Sequence, residues 1–121
     1  MNTKELEKSV NNICSELIDS KGYISSIDVL LGLGYLSKKD YEDWRFKKVP
    51  FLEKVCKVNL SKLGNIIAFI KRFSKNSNLK ASWTSYKSYG KSKKITLQFS
   101  KSGKASIEKS YSTHYVLVRN E

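Results

Sequence analysis

The chain is expected to fold as an α+β domain in which a helical bundle comes first and a small antiparallel sheet of about three strands comes last. Two observations predict this. Up to residue 78 the apolar residues recur at the helical period of 3.6, and beyond it they alternate with polar residues at the period of a strand. With 121 residues, 40% of them apolar, the chain can bury roughly two-thirds of its unfolded surface as one domain spanning residues 1–121. Residues 1–78 read as mainly helical; residues 79–121 read as a β-hairpin, a short helix and a final strand.

Each element has a local cause. Leu6, Val10, Ile13, Cys14, Leu17 and Ile18 share one face of a helix over 3–20, capped by Asn2 with Glu5 and stopped by Gly22. Ser25 and Asp28 have capping-box spacing ahead of Ile27, Leu30, Leu31 and Leu33, so a short second helix starts there and ends near Gly32 or Gly34. Ser37 and Asp40 repeat the box, with Leu36 and Tyr41 placed as a hydrophobic staple, for a third helix from 38 to about 46. Two short helices around a glycine-containing turn have a helix-turn-helix outline, and a hairpin after them makes the pattern winged-helix-like. Asp40, Glu42 and Asp43 in the third helix would face phosphates, which favours a helical hairpin that builds core over one that reads a groove.

Pro50 suits a first helical position and places a short helix over 51–57. Asn59 caps a longer one, with Leu60, Leu63, Ile66, Ile67, Ile70 and Phe73 as its buried stripe; Gly64 and Ala68, four apart, allow close approach by another backbone. Leu79, Ala81 and Trp83 alternate with Lys80, Ser82 and Thr84, and Ile95, Leu97 and Phe99 with Lys94, Thr96 and Gln98. This predicts a hairpin with a lysine-rich tip at 88–94. A short helix over 105–111 and a strand over 113–118 complete the chain.

Charge is distributed unevenly along this framework. No Asp or Glu occurs between Glu53 and Glu108, and the 54 residues between them carry twelve Lys and one Arg. Residues 1–43 hold five Lys against eight acids, net −3, while residues 44–121 hold eighteen Lys plus Arg against three acids, net +15. Such a run presents a positive surface however it folds, because Lys is rarely buried without a partner. The expected nucleic-acid contacts are Lys62, Arg72 and Lys75 on the long helix, then Lys80, Trp83, Tyr86, Lys87, Tyr89, Lys91, Lys93 and Lys94 on the hairpin, and Lys101 and Lys104 after it. Lysines neutralise phosphates, and aromatic faces stack on unpaired bases. Arg45, Arg72 and Arg119 are the only arginines, so backbone attraction is expected to outweigh bidentate reading of guanine.

Other chemistries find fewer residues. Cys14 and Cys56, each within an apolar stretch that reads as helical, are expected to be buried free thiols of a reducing compartment. His114 is the single histidine, so no tetrahedral metal site assembles and no cofactor is expected. The run Lys101, Ser102, Gly103, Lys104 departs from a P-loop, since Gln98 stands where Gly is required and Ala105 where Ser or Thr is. A turn opening onto a helix there would hold one phosphate at most, through backbone N–H groups. The N-terminus lacks a signal-peptide pattern and no window approaches the ~18–20 apolar residues of a membrane span, so a cytoplasmic protein without membrane insertion is expected.

Trp44-Arg45 followed by Val49-Pro50-Phe51-Leu52-Glu53, and Tyr111 followed by Thr113-His114-Tyr115, carry a resemblance. With Asn59-Leu60-Ser61, Trp83-Thr84, Tyr86, Phe99-Ser100 and Ser102-Gly103, the chain from 22 to 118 resembles a family of small bacterial proteins. That family has the pattern W-R-x-x-x-V-P-[FY]-L-E and a C-terminal Y-x-T-H-[YF]. The resemblance implies a single bacterial domain and no activity, but it marks Arg45, Glu53 and His114 as a possible polar site; an internal salt-bridge and hydrogen-bond network is the equal alternative.

The functional expectation is a non-enzymatic nucleic-acid-binding protein that uses the lysine-rich hairpin and the adjacent basic helix face. The alternative is a phage or mobile-element accessory or inhibitor module that contacts an acidic protein partner. The third is a small RNA-cleaving, toxin-like enzyme with His114 as general base, Tyr111 or Lys109 as helper and Glu108 as a second titrating group.

Overall fold

The computed structural model describes residues 2–118, so Arg119 lies outside the described residues. Five α-helices and a small sheet are found among them. In chain order they are α1 (Thr3–Lys21), β1 (Tyr23–Ile24), α2 (Ser26–Leu33), α3 (Lys38–Arg45), a 3₁₀ turn (Leu52–Val55), α4 (Leu60–Asn76), β2 (Lys80–Trp83), α5 (Ala105–Ser112) and β3 (Thr113–Val116). Helices precede most of the sheet, the α+β order expected from the sequence.

The caps act as their spacing predicts. Asn2 Oδ1 accepts from the Glu5 N–H at 2.9 Å, Ser25 Oγ from Asp28 at 3.1 Å, Ser37 Oγ from Asp40 at 3.1 Å and Asn59 Oδ1 from Lys62 at 2.8 Å. Each meets one of the backbone donors that a helix start leaves free. Gly22, at φ +79°, closes α1 by donating to the Leu17 and Ile18 carbonyls.

α1 packs against α2, α4 and β1. The core joins Leu6, Val10 and Cys14 of α1 to Val29 and Leu30 of α2 and to Leu63, Ile66 and Ile70 of α4. Trp44 of α3, 0% exposed, anchors the other side. Its ring lies 4.9 Å from Phe99 and 5.8 Å from Tyr86, and its Nε1–H donates to the Gln98 carbonyl at 2.8 Å. Burying an indole removes roughly 150–250 Å² from water, about 4–6 kcal/mol of transfer free energy as an upper estimate. The helical hairpin α2–α3 therefore builds core, as the acids of α3 suggested.

The sheet has the order β1-β3-β2 and is antiparallel throughout. Tyr23 and Ile24 pair with Val116 and Tyr115, while Lys80 to Trp83 pair with Val116 to Thr113. The expected hairpin is thereby corrected: 80–83 pairs with the last strand and not with 95–99. A narrower hairpin survives further along, where Lys87 faces Thr96, Ser88 N–H donates to Ile95 O at 2.9 Å and Leu97 N–H to Tyr86 O at 2.8 Å. Alternation places side chains on faces and says nothing of which strand lies beside which.

Trp83 is 60% exposed on the edge strand. Three smaller expectations are also corrected. Leu60 is 65% exposed at the first turn of α4, ahead of the part that packs on α1. Nothing lies within 4 Å of a Cβ built on Gly64; the close approach occurs at Gly32, 3.2 Å from Ile13. Pro50 precedes an extended Phe51, φ −156°, so the expected helix over 51–57 shrinks to the 3₁₀ turn and leaves Cys56 half-buried outside it.

Candidate functional site

The lysines expected to contact nucleic acid stand on three structures. Lys62 and Lys75 belong to α4, with Lys62 half-buried and Lys75 exposed; Lys80 lies on the edge strand β2; the others follow β2 in the long connection to α5. Lys87, Lys91, Lys93 and Lys94 are exposed around the narrow hairpin, and Lys101 and Lys104 on the turn before α5. Gly90, at φ +109°, supplies a backbone conformation that other residues rarely adopt and turns the tip. Lys94 Nζ donates to the Gly90 carbonyl at 2.9 Å and Lys87 Nζ to Thr96 Oγ1 at 2.6 Å, which ties two of these cations to the loop itself.

None of these lysines meets a carboxylate among the described residues. The ion pairs found there are Lys21–Asp28 at 3.1 Å, Lys39–Asp43 at 3.7 Å, Lys48–Asp43 at 4.0 Å and Arg72–Glu7 at 2.5 Å. Arg72, its side chain 63% exposed, is thus the one expected contact that already shares its charge with a carboxylate, Glu7 of α1.

The two acids that bound the acid-free run are turned inward. Glu108 Oε1 accepts from the Phe99 N–H at 2.6 Å, and its Oε2 from the Ser100 N–H at 2.8 Å and the Ser100 hydroxyl at 2.6 Å. Glu53 Oε1 accepts from the Lys101 N–H at 3.0 Å, and its Oε2 from the Tyr111 hydroxyl at 2.7 Å. Burial pushes the Tyr111 phenol well above its ordinary pKa, and the bond to Glu53 adds to this, so it remains a donor. Gly103 N–H donates to Ser100 Oγ at 3.1 Å and Lys104 N–H to Ser102 Oγ at 3.3 Å. The N–H groups of Ser100, Lys101, Gly103 and Lys104 are thus engaged by the protein's own oxygens, while α5 opens without a side-chain cap.

Arg45, Glu53 and His114 do not form one site. Glu53 belongs to the turn just described, whereas Arg45 and His114 line a common cleft of about 390 Å³ together with Tyr23, Asp28, Tyr41 and Tyr86. Tyr86 Oη and His114 Nε2 share a hydrogen bond of 2.9 Å, and the imidazole stacks on Tyr23 with centroids 5.4 Å apart. Burial lowers the His114 pKa, against a weaker opposing pull from Asp28. The Arg45 guanidinium sits 4.1 Å from the Tyr89 centroid, 5.2 Å from Tyr86 and 6.0 Å from Tyr41.

These contacts revise the aromatic part of the expected interface. Tyr86 is half-buried against Trp44, Phe99 and His114, and Tyr89 is stacked on Arg45 and edged by Phe46 at 5.5 Å. Trp83, 60% exposed, is the most open of the three, ahead of Tyr89 at 39%. Sequence reasoning missed the inward turn of Glu108 and the roles of Tyr23, Asp28 and Tyr41 in the cleft; the placement of Glu53 and Glu108 at the two ends of the acid-free run was the available signal for the first. Among the described residues no cluster of His, Cys, Asp and Glu has the arrangement of a metal site, and no helix is long and apolar enough to cross a membrane. Comparison with protein-family models, curated proteins and solved structures returns no match.

Proposed function

We propose that the protein binds nucleic acid without catalysing a reaction on it, through Lys80, Lys87, Lys91, Lys93, Lys94, Lys101 and Lys104, with Trp83 stacking on an unpaired base. Lys62 and Lys75 extend the surface along α4, and a winged-helix mode of docking belongs to the same proposal. The observation that carries it is electrostatic: these lysines meet no carboxylate among the described residues, because Glu53 and Glu108 face backbone N–H groups. Uncompensated cations on an exposed loop attract a polyanion and release its counterions. Lysine in place of arginine supplies charge without bidentate base reading, so weak sequence preference is expected.

A salt titration tests this directly. With six phosphates neutralised, the slope of about −0.9 per contact weakens duplex binding roughly a thousand-fold between 50 and 200 mM salt. Fluorescence anisotropy on duplex DNA, single-stranded DNA and RNA measures it; failure to bind any of them at low salt refutes the proposal, and a flat salt response refutes its mechanism. The second reading, a module for an acidic protein partner in a bacterial cytoplasm, draws on the groove between α4 and α5, where Leu60 and Ile107 are 65% and 37% exposed. Apolar contact there would make partner binding resistant to salt.

A further inference from the structure

The charges around the Arg45–His114 cleft cancel except for one. Lys21 Nζ lies 3.1 Å from both carboxylate oxygens of Asp28, so that pair is neutral. Burial lowers the His114 pKa from its ordinary 6.5, which leaves the imidazole uncharged at neutral pH. Arg45 is the one left over: no ion pair reaches it among the described residues, and its Nε is closed off from solvent with no hydrogen-bond acceptor. That Nε is out of reach of a ligand, but the side chain as a whole is half-buried and lines the cleft, so an oxyanion entering there would meet the guanidinium's charge from the cleft side.

The guanidinium is also held in place. Tyr89 and Tyr86 cover it at 4.1 and 5.2 Å, which favours a fixed fork suited to the paired oxygens of a phosphate. The cleft's remaining wall combines tyrosine rings with Ile27 and Leu31 and the hydroxyls of Ser25 and Thr84. Its volume of about 390 Å³ falls at the lower end of small-ligand sites, roughly 300–1,000 Å³. The cleft adjoins the root of the lysine-rich loop, since Tyr86 lines it and the Tyr89 N–H donates to the Arg45 carbonyl at 2.6 Å.

We propose that this cleft receives one nucleotide, its phosphate on the Arg45 guanidinium and its base against the tyrosine walls. The assignment rests on the nucleic-acid reading above, in which the loop lysines bring an unpaired stretch of strand to the cleft. A free mononucleotide presents the same chemistry, and the experiment separates the two sources.

The imidazole of His114 lies in the cleft wall, so its carbon-bound proton resonances in the full chain report occupancy. The protein is titrated with AMP, with a short single-stranded oligonucleotide and with a duplex of the same length. Both AMP and the single strand are expected to shift His114, and the duplex much less. Arg45→Gln is expected to weaken the AMP affinity about tenfold, the loss of a charge-assisted pair, while duplex affinity by anisotropy is unchanged. A shift with AMP but not with the single strand overturns the strand source and assigns the cleft to a free nucleotide. No shift with either overturns the cleft assignment, and duplex binding that persists in that case leaves the nucleic-acid reading intact. Loss of all strand and duplex binding with the AMP shift retained removes that reading and keeps the nucleotide site.

Discussion

Truncating Glu108 tests whether the turn at 99–103 is built on that carboxylate. Phe99 and Ser100 are each 2% exposed, and both backbone N–H groups donate to Glu108. In Glu108→Ala both lose their acceptor, and the Ser100 hydroxyl can still turn toward Ser102 Oγ at 3.4 Å. An unmet buried donor costs about 1–3 kcal/mol, so two cost about 2–6 kcal/mol; water entering the space left by the half-buried side chain brings the expected loss to about 2–4 kcal/mol. At about 2.1 cal/mol/K of unfolding entropy per residue, a chain of 121 residues shifts its Tm about 4 °C per kcal/mol. Glu108→Ala should therefore melt about 8–16 °C lower by circular dichroism, with the same loss from urea unfolding. Glu108→Gln keeps one carbonyl oxygen and points an NH₂ at the other donor, so it should fall between the two. A Glu108→Ala midpoint within 2 °C of the parent, or a Gln variant equal to the parent, refutes the reasoning.

Trp83→Ala should change stability by no more than about 0.5 kcal/mol, as expected of a side chain 60% exposed, yet weaken single-strand binding by about 1–3 kcal/mol in the anisotropy assay. Because burial lowers the His114 pKa in the folded protein, the unfolded chain binds the proton more readily and stability rises with pH in that window. Stability should be fully present above about pH 6.5 and fall as the solution is acidified through the folded pKa, and the histidine part of that slope should vanish in His114→Gln. Burial pushes the Cys14 thiol up to about 12 and the Cys56 thiol up to about 11. Neither should react with a maleimide at pH 8 in the native protein within the minutes that label both in guanidinium.

What the sequence disclosed depended on the range of the interaction. The helix starts at Asn2, Ser25, Ser37 and Asn59 were legible because a cap is a bond between residues three apart. Strand pairing is set by contacts across the chain, so 80–83 and 113–118 could each be recognised as extended while their pairing with one another could not. β1 has two residues, too few for any period to show. The same limit applied to the polar residues: Arg45 and His114 do share a cleft, but Glu53 was drawn away by Tyr111 and the Lys101 N–H, partners 58 and 48 residues distant. The positive surface was read correctly as charge, whereas the device that keeps it uncompensated required knowing where two carboxylates point.

In the order β1-β3-β2 the strand Lys80–Trp83 has a partner on one side, and all four of its residues are exposed. A row of free backbone donors and acceptors of this kind is a template on which a further strand can add, from another copy of the protein or from an unfolded chain. The row is only four residues long and opens with Lys80, and laying one copy's edge in parallel register on another's would set Lys80 against Lys80. Growth of the sheet from molecule to molecule is thereby discouraged at low salt, and the same lysine makes that protection weaken as ionic strength rises.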